Sequence, residues 1–309
     1  MSAPSFLKKP VWTWEVPAYF FLGGLSAGAY LLSRAASAGT RKYRGVAKSG
    51  LIVAVVALLP CPALLVSDLG DPRRFHHMLR VFKPVSPMNL GAWTLVVYSS
   101  AVVTALAAER PFRAARAAGS YADTVGVPAA LLLAGYTGVL LSTTANPAWA
   151  GNPWIGPLFS AGAIAAGADA IELVREVAGG SESELSAVRG VASAARVVEA
   201  ATLAATLRTA AQHAPGALRP RQTRWTLVAA VVGIVLPAVL ELLPVANPRL
   251  RRSLRAAGCA VGLAGGAALR FAVVEMGRNS ITEAGLAARD VEAVKENTRG
   301  LGEDRSSRQ

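Results

Sequence analysis

Eight stretches of mostly apolar residues decide what this chain can become: roughly 15–36, 46–66, 88–108, 125–145, 154–174, 191–210, 225–245 and 255–275. Each can cross the hydrocarbon core of a bilayer as an α-helix, which takes about 20 residues. Lipid leaves no partner for an open backbone, so only helices and closed barrels span it. The runs are too long, too Ala-rich and too free of alternation for barrel strands. The expected fold is therefore an all-α membrane protein with eight transmembrane helices. The fifth and sixth runs are the weakest, because each carries charges. Composition agrees with this reading. Hydrophobic residues make up 53% of the chain and charged residues 17%, against about 25% charged in a soluble domain.

A net charge of +13 would suggest nucleic acid in a soluble protein. Here the basic residues crowd the ends of the apolar runs, where they snorkel and set orientation. The expected partner of that charge is membrane lipid, not nucleic acid. Lys8 and Lys9 precede the first run, whereas Arg34 stands at its end and Arg41, Lys42, Arg44 and Lys48 follow it. The positive-inside rule then puts the N-terminus outside. With an even number of spans both termini lie there, and the host membrane is read as the cell's inner membrane. The first run is too long for the core of a cleaved signal, about 7–15 residues, and is read as a retained span. Trp12, Trp14, Trp93, Trp149, Trp154 and Trp225 all fall near the outer ends of the runs, as interfacial rings would.

"NPAWAGNPW" (146–154) divides the chain in the middle. The expected organisation is two four-helix bundles, 1–150 and 151–277, followed by a polar tail, 278–309, with a short helical pattern at best. "GGSESELS" (179–186) reads as a polar linker.

Cys61 and Cys259 both lie inside apolar runs and are too few for an iron–sulfur cluster, which needs about four thiolates. His76, His77 and His213 sit in loops, so axial haem ligands inside helices are missing. No metal site is expected. "SDLGDPRRFHHMLRVFKP" (67–84) is a dense polar run between two spans. Phe75, Met78, Leu79 and Phe82 recur at helical spacing within it, with Arg73, Arg74, His76, His77, Arg80 and Lys83 around them. That pattern predicts a short amphipathic helix on the membrane surface.

Ionisable residues within spans are costly in lipid and point to function. Asp169 and Glu172 lie on the fifth span, Arg196 and Glu199 on the sixth, and Glu241 on the seventh. Pairing of Arg196 with Glu199 or Asp169 is one reading; a proton route from the inner side is the other. Arg270 and Glu275 lie towards the outer side of the eighth span. Gly24 and Gly28, and Gly258, Gly262 and Gly266, form GxxxG patterns that favour close helix packing. Tyr136 lies mid-span in "GYTGVLLS" (135–142), where a buried hydroxyl needs a partner.

Three segments carry a resemblance: "WTWEVPAYFFLGGLSAGAYLL", "SDLGDPRRFHHMLRVFKPVSPMNLGAW" and "GYTGVLLS". They resemble the NrfD/PsrC family of membrane subunits of polysulfide-reductase-like complexes. The resemblance covers the first half well, and the second half mainly in its four further spans. It implies a haem-free subunit that exchanges electrons between a four-cluster iron–sulfur protein and a membrane quinone, menaquinone or ubiquinone. A molybdopterin catalytic subunit completes such complexes. Carried onto this sequence, the resemblance places quinone contacts at Glu15, Tyr19 and Tyr136, with Glu15 and Asp68 as proton-exchanging carboxylates. His77 would stand at the quinone mouth. Arg73, Arg74, Arg80 and Lys83 would dock the iron–sulfur partner, and Asp169, Glu172, Arg196, Glu199 and Glu241 would carry protons. A proton-coupled secondary transporter and a purely structural anchor are the rival functions.

Overall fold

The computed structural model describes residues 12–69, 73, 75–83, 85–109 and 115–306, with side chains described as far as Ile281 except at 78, 115, 116 and 222. Among the described residues, eight helical segments are long and apolar enough to cross a membrane. The protein is a multi-pass membrane protein.

Helix α1 spans Glu15–Ala38. The second crossing is made of a 3-10 turn at Arg41–Tyr43, α2 (Arg44–Leu58) and α3 (Cys61–Ser67). The break falls at Pro60, since proline lacks the N–H that would continue the ladder and crowds the carbonyl one turn back. After a short α4 (His76–Arg80), Ser86 caps α5 (Pro87–Ala108) by accepting from the Asn89 N–H at 3.5 Å. Pro87 fits the first helical turn, where an N–H has no partner anyway.

The fourth crossing joins α6 (Ala115–Tyr121) to α7 (Val127–Ser142) through a π-helical turn at Ala122–Gly126. Pro128 supplies no N–H for a regular bond to residue 124, which accounts for the irregular turn there. Then follow α8 (Ile155–Val177), α9 (Glu182–His213), α10 (Arg221–Leu242) and α11 (Pro248–Ser306).

Three sequence expectations change at this level. The "GGSESELS" stretch is mostly helix: Ser181 and Glu184 form a reciprocal capping box, so α9 begins at Glu182. The amphipathic helix of the polar loop is only the turn His76–Arg80. At the far end, α11 continues without interruption into the segment expected to be a tail.

Helix α1 packs against α2 and α7 on one side and against α8 and α11 on the other. It is the seam between the first four crossings and the last four. Close approach to α8 depends on Gly28: a Cβ there would lie 1.9 Å from the Ala163 carbonyl oxygen. The equivalent tight crossing of α10 and α11 is at Gly233 and Gly265, whereas the Gly258 contact is of ordinary van der Waals length. Small residues let membrane helices come together where lipid gives no hydrophobic drive. Trp149 departs from the interfacial expectation. It is fully buried, stacks on Trp12 with ring centroids 5.6 Å apart, and donates from Nε1 to the Val273 carbonyl at 2.7 Å. A buried indole N–H needs such an acceptor, and this one ties the 146–154 connection to α11.

Candidate functional site

The end of the bundle where α1 begins, called here the N-face, holds a narrow slit between α1, α3, α5 and α7. Tyr19, Asp68 and Tyr136 line it together with Trp12, Phe20, Leu64, Met88 and Gly91. Its open volume is about 70 Å³.

Position follows from local structure. Tyr19 is one turn into α1 and buried. Asp68 directly follows α3, which the Pro60 break redirects. Tyr136 lies in the middle of α7 and donates from Oη to the Pro87 carbonyl. That carbonyl opens α5, so the tyrosine lines the slit and ties α7 to the start of α5. The approach requires Gly91: a Cβ there would sit 2.3 Å from the Tyr136 hydroxyl.

Glu15 is not among the lining residues, but it is linked to the slit. The Thr13 hydroxyl bonds the Glu15 carboxylate and lies 3.4 Å from Asp68 Oδ1. Partial burial raises the Asp68 carboxyl above the ordinary aspartate range; the bonds from Thr13 oppose that shift, and the nearby Glu15 charge adds to it. Asp68 is therefore a carboxyl whose proton is held more firmly than on an exposed aspartate.

Beside the slit, an apolar groove of about 260 Å³ runs between α3, α4 and α5. Leu65, Leu69 and Ala92 line both spaces, and Phe75 and Leu79 of the polar loop form part of the groove wall. Thus two residues of the loop's apolar stripe, Phe75 and Leu79, cover part of the groove. Asn89 anchors this loop to α5, accepting from the Lys83 N–H at 2.7 Å and donating to the Val81 carbonyl at 3.1 Å. Arg73, Arg80 and Lys83 are exposed on it. His77 is exposed too and packs edge-on against His76 at 4.4 Å, away from the slit lining. Arg74 lies outside the described residues.

The charged residues of the second half form a separate arrangement. Arg196 bonds Asp169 across α8 and α9, which selects one of the two expected pairings. Glu172 and Glu241 share Arg189, at 3.3 and 3.8 Å. Arg189 also bonds Glu182 at 2.6 Å. Glu199 faces Arg270 at 3.6 Å. Arg270 is 2% exposed, donates to the Phe159 carbonyl at 2.9 Å and lies over the Phe159 ring.

Sequence reasoning misses Trp12, Met88, Gly91 and Arg189. Trp12 has the placement of a belt residue, and Arg189 lies just ahead of the expected sixth span. Among the described residues no cluster of His, Cys, Asp and Glu has the geometry of a metal site.

Against known proteins, the family model described as "Polysulphide reductase, NrfD" matches residues 4–282. The C subunit of the polysulfide reductase of Wolinella succinogenes is 30% identical over 176 residues. That match covers 51% of this chain and 56% of the relative, so the chain spans little more than half the length of the curated protein it matches.

Proposed function

The chain belongs to the polysulphide reductase NrfD family, and on that premise we propose that it is the quinone-reactive membrane subunit of an oxidoreductase complex. One observation carries the reading: Tyr19, Asp68 and Tyr136 converge on one slit at the N-face, beside a groove walled in part by a basic loop. The substrate is a membrane quinone, menaquinone or ubiquinone, and its prenyl tail would occupy the apolar groove beside the slit. The slit is smaller than usual ligand pockets of about 300–1,000 Å³. A quinone ring therefore enters by displacing the side chains at its mouth, of which the unbranched, adaptable Met88 is the readiest to move.

Reduction of a quinone takes two electrons and two protons, and oxidation of the quinol releases both. The electrons would come from, or go to, a four-cluster iron–sulfur subunit docked on Arg73, Arg74, Arg80 and Lys83, with a molybdopterin catalytic subunit beyond it. The Wolinella succinogenes relative supports this by its name as one component of a reductase. This chain would supply the pocket and the proton exchange. Tyr19 orients one quinone oxygen through its hydroxyl, and Tyr136 orients the other by turning its hydroxyl away from the Pro87 carbonyl. Asp68 exchanges a proton with the slit, and Glu15, coupled through Thr13, passes it on. Asp169, Glu172, Arg196, Glu199 and Glu241 would carry protons from the opposite face. In this reading the first four crossings hold the redox site, the N-face lies outside the inner membrane, and His77 stands at the loop surface.

The test is electron exchange between the purified complex and a soluble quinone. Tyr136→Phe is expected to lower that exchange by about tenfold, the worth of one hydrogen bond of roughly 1.4 kcal/mol, with the complex still assembled. Unchanged turnover in Tyr136→Phe and in Glu15→Gln would remove the site assignment.

A further inference from the structure

The end of the bundle opposite the slit carries a polar cavity of about 300 Å³. Glu176, Gly179 and Glu182 of the α8–α9 turn line it, with Arg251, Arg252 and Arg255 of α11. The volume is at the lower end of small-ligand sites, enough for a phosphate headgroup and too little for a whole lipid.

Local structure builds both walls. Helix α8 stops in a tight reversal: the Gly180 N–H donates to the Arg175 carbonyl at 2.7 Å, and Gly179 has φ +65° to +75°, printed as 73. That is the left-handed residue of a Schellman-type stop, which glycine takes without strain. Nothing stands within 4 Å of where a Gly179 Cβ would lie, so this wall is bare backbone. On the other side, Asn247 Oδ1 accepts from the Arg249 and Leu250 N–H groups at 3.0 and 3.4 Å. The end of α11 is thus already capped, and what it offers the cavity is side chains. Arg251 and Arg252 lie four and three residues before Arg255, so the three share one face of the helix.

The carboxylates at the cavity are spoken for, and the guanidinium groups are not. Glu176 pairs with Arg252 Nε at 2.8 Å. Glu182 is held by Arg189 at 2.6 Å and by Arg255 Nη1 at 3.2 Å. A guanidinium has five N–H donors in a fixed fork. Arg252 and Arg255 therefore keep donors to spare, and Arg251 has no acidic partner among the described residues. An oxyanion with several acceptors, such as a phosphate, matches forks of this kind. An ammonium group would find no free carboxylate beside it. Val177, Leu242 and Leu250 are large apolar side chains exposed at the same end of the bundle, where lipid chains would meet them.

We propose that this cavity is a binding site for the phosphate of one anionic phospholipid, with Arg251, Arg252 and Arg255 as its donors. The engaged carboxylates select a lipid whose headgroup carries no ammonium, such as phosphatidylglycerol. The exposed apolar rim selects a lipid over free phosphate. On the proposed orientation the cavity opens to the cytoplasmic leaflet, where basic pockets between membrane helices take anionic headgroups. The site is independent of the quinone reading and lies at the other face of the protein.

The test is native mass spectrometry of the full chain in detergent, titrated with phosphatidylglycerol. Wild type is expected to hold one tightly bound phosphatidylglycerol and to prefer it to phosphatidylcholine. Arg251→Gln, which breaks no ion pair, should weaken that binding about fivefold, the share of one interfacial arginine. Arg251→Gln with Arg252→Gln should weaken it about thirtyfold. Arg249→Gln, an exposed arginine of the same helix end outside the cavity lining, should leave it unchanged. Equal binding of phosphatidylcholine, or an Arg249→Gln loss as large as that of Arg251→Gln, would overturn the site in favour of diffuse attraction to the helix end. Displacement of the lipid by excess inorganic phosphate would assign the cavity to free phosphate and overturn the lipid.

Discussion

The two halves of the molecule handle polar chemistry in opposite ways. In the first half the polar groups of the site sit at the N-face, around a slit whose other walls are apolar, and deeper polar groups such as Ser26 and Tyr98 are uncharged hydroxyls bonded to each other. Tyr136 and Thr13 meet their partners singly, through a carbonyl and two carboxylates. The second half buries whole charges in mid-span and sets them in arginine–carboxylate pairs across three helices, the Glu199–Arg270 pair standing 3.6 Å apart. The contrast shows what each half can tolerate. A slit of hydroxyls and one partly exposed carboxyl can open, take a ring and close at little cost. A buried pair cannot lose one member without leaving a bare charge in a low-dielectric interior, which costs about 3–5 kcal/mol.

That difference sets the largest expected effect. Arg270→Met leaves Glu199 buried and unpaired, and should destabilise the protein by about 3–5 kcal/mol, seen as a lower melting temperature in detergent. The double change Arg270→Met with Glu199→Leu removes both charges and should recover most of that loss. If the single change melted like wild type, the buried pair would not be a structural constraint, and the contrast between halves would fail.

Next in size is Gly91→Ala. Its Cβ would meet the Tyr136 ring and hydroxyl, so the tyrosine must shift. A misplacement of about 1 Å at a reacting site costs roughly a hundredfold, and quinone turnover should fall accordingly while melting changes little. Equal losses of turnover and stability would mean that the slit is as rigid as the charged core.

Asp68→Asn tests the titration. Burial holds the Asp68 proton to a higher pH than an exposed aspartate would. In the proposed reading Asp68 accepts a proton during quinol oxidation, and for that it must be the carboxylate. The rate should therefore fall as pH drops through that raised pKa, and hold above it. Asp68→Asn should remove this acid limb and leave a lower, flatter profile. An acid limb that persists in the variant would assign it to another group.

The smallest single effects belong to the loop. Each of Arg73, Arg80 and Lys83 is exposed, and exposed charges contribute about 0.2–1 kcal/mol apiece. Charge reversal at all three together should release an iron–sulfur partner on a sizing column. A complex that survives the triple change would move the docking surface elsewhere.

Much of the architecture is legible from the apolar runs, because a bilayer demands about 20 residues of each helix. The eight crossings follow those runs, and the Pro60 break falls within the second of them. Tyr19, Asp68 and Tyr136 stand out by their motifs, and the fold brings them to one slit. Met88 and Leu64 are not legible: within an apolar run, nothing in residue type separates a slit wall from a lipid-facing side chain. Arg196 has two carboxylates in reach by sequence, and only the rotation of α8 against α9 selects Asp169. Arg270 is visible as a charge within a span, but its partner Glu199 lies far earlier in the chain on another helix. The capping box at Ser181 is legible in principle, since Ser and Glu stand three apart ahead of the helix. The polar look of the "GGSESELS" stretch hides it.

The most direct test of the central claim is photolabelling of the purified complex with a photoreactive quinone, mapped by peptide mass spectrometry. The slit predicts label on peptides bearing Trp12–Phe20, Leu64–Leu69, Met88–Ala92 and Tyr136–Leu140, competed away by unmodified quinone. Competable label confined to residues 155–281 would contradict it.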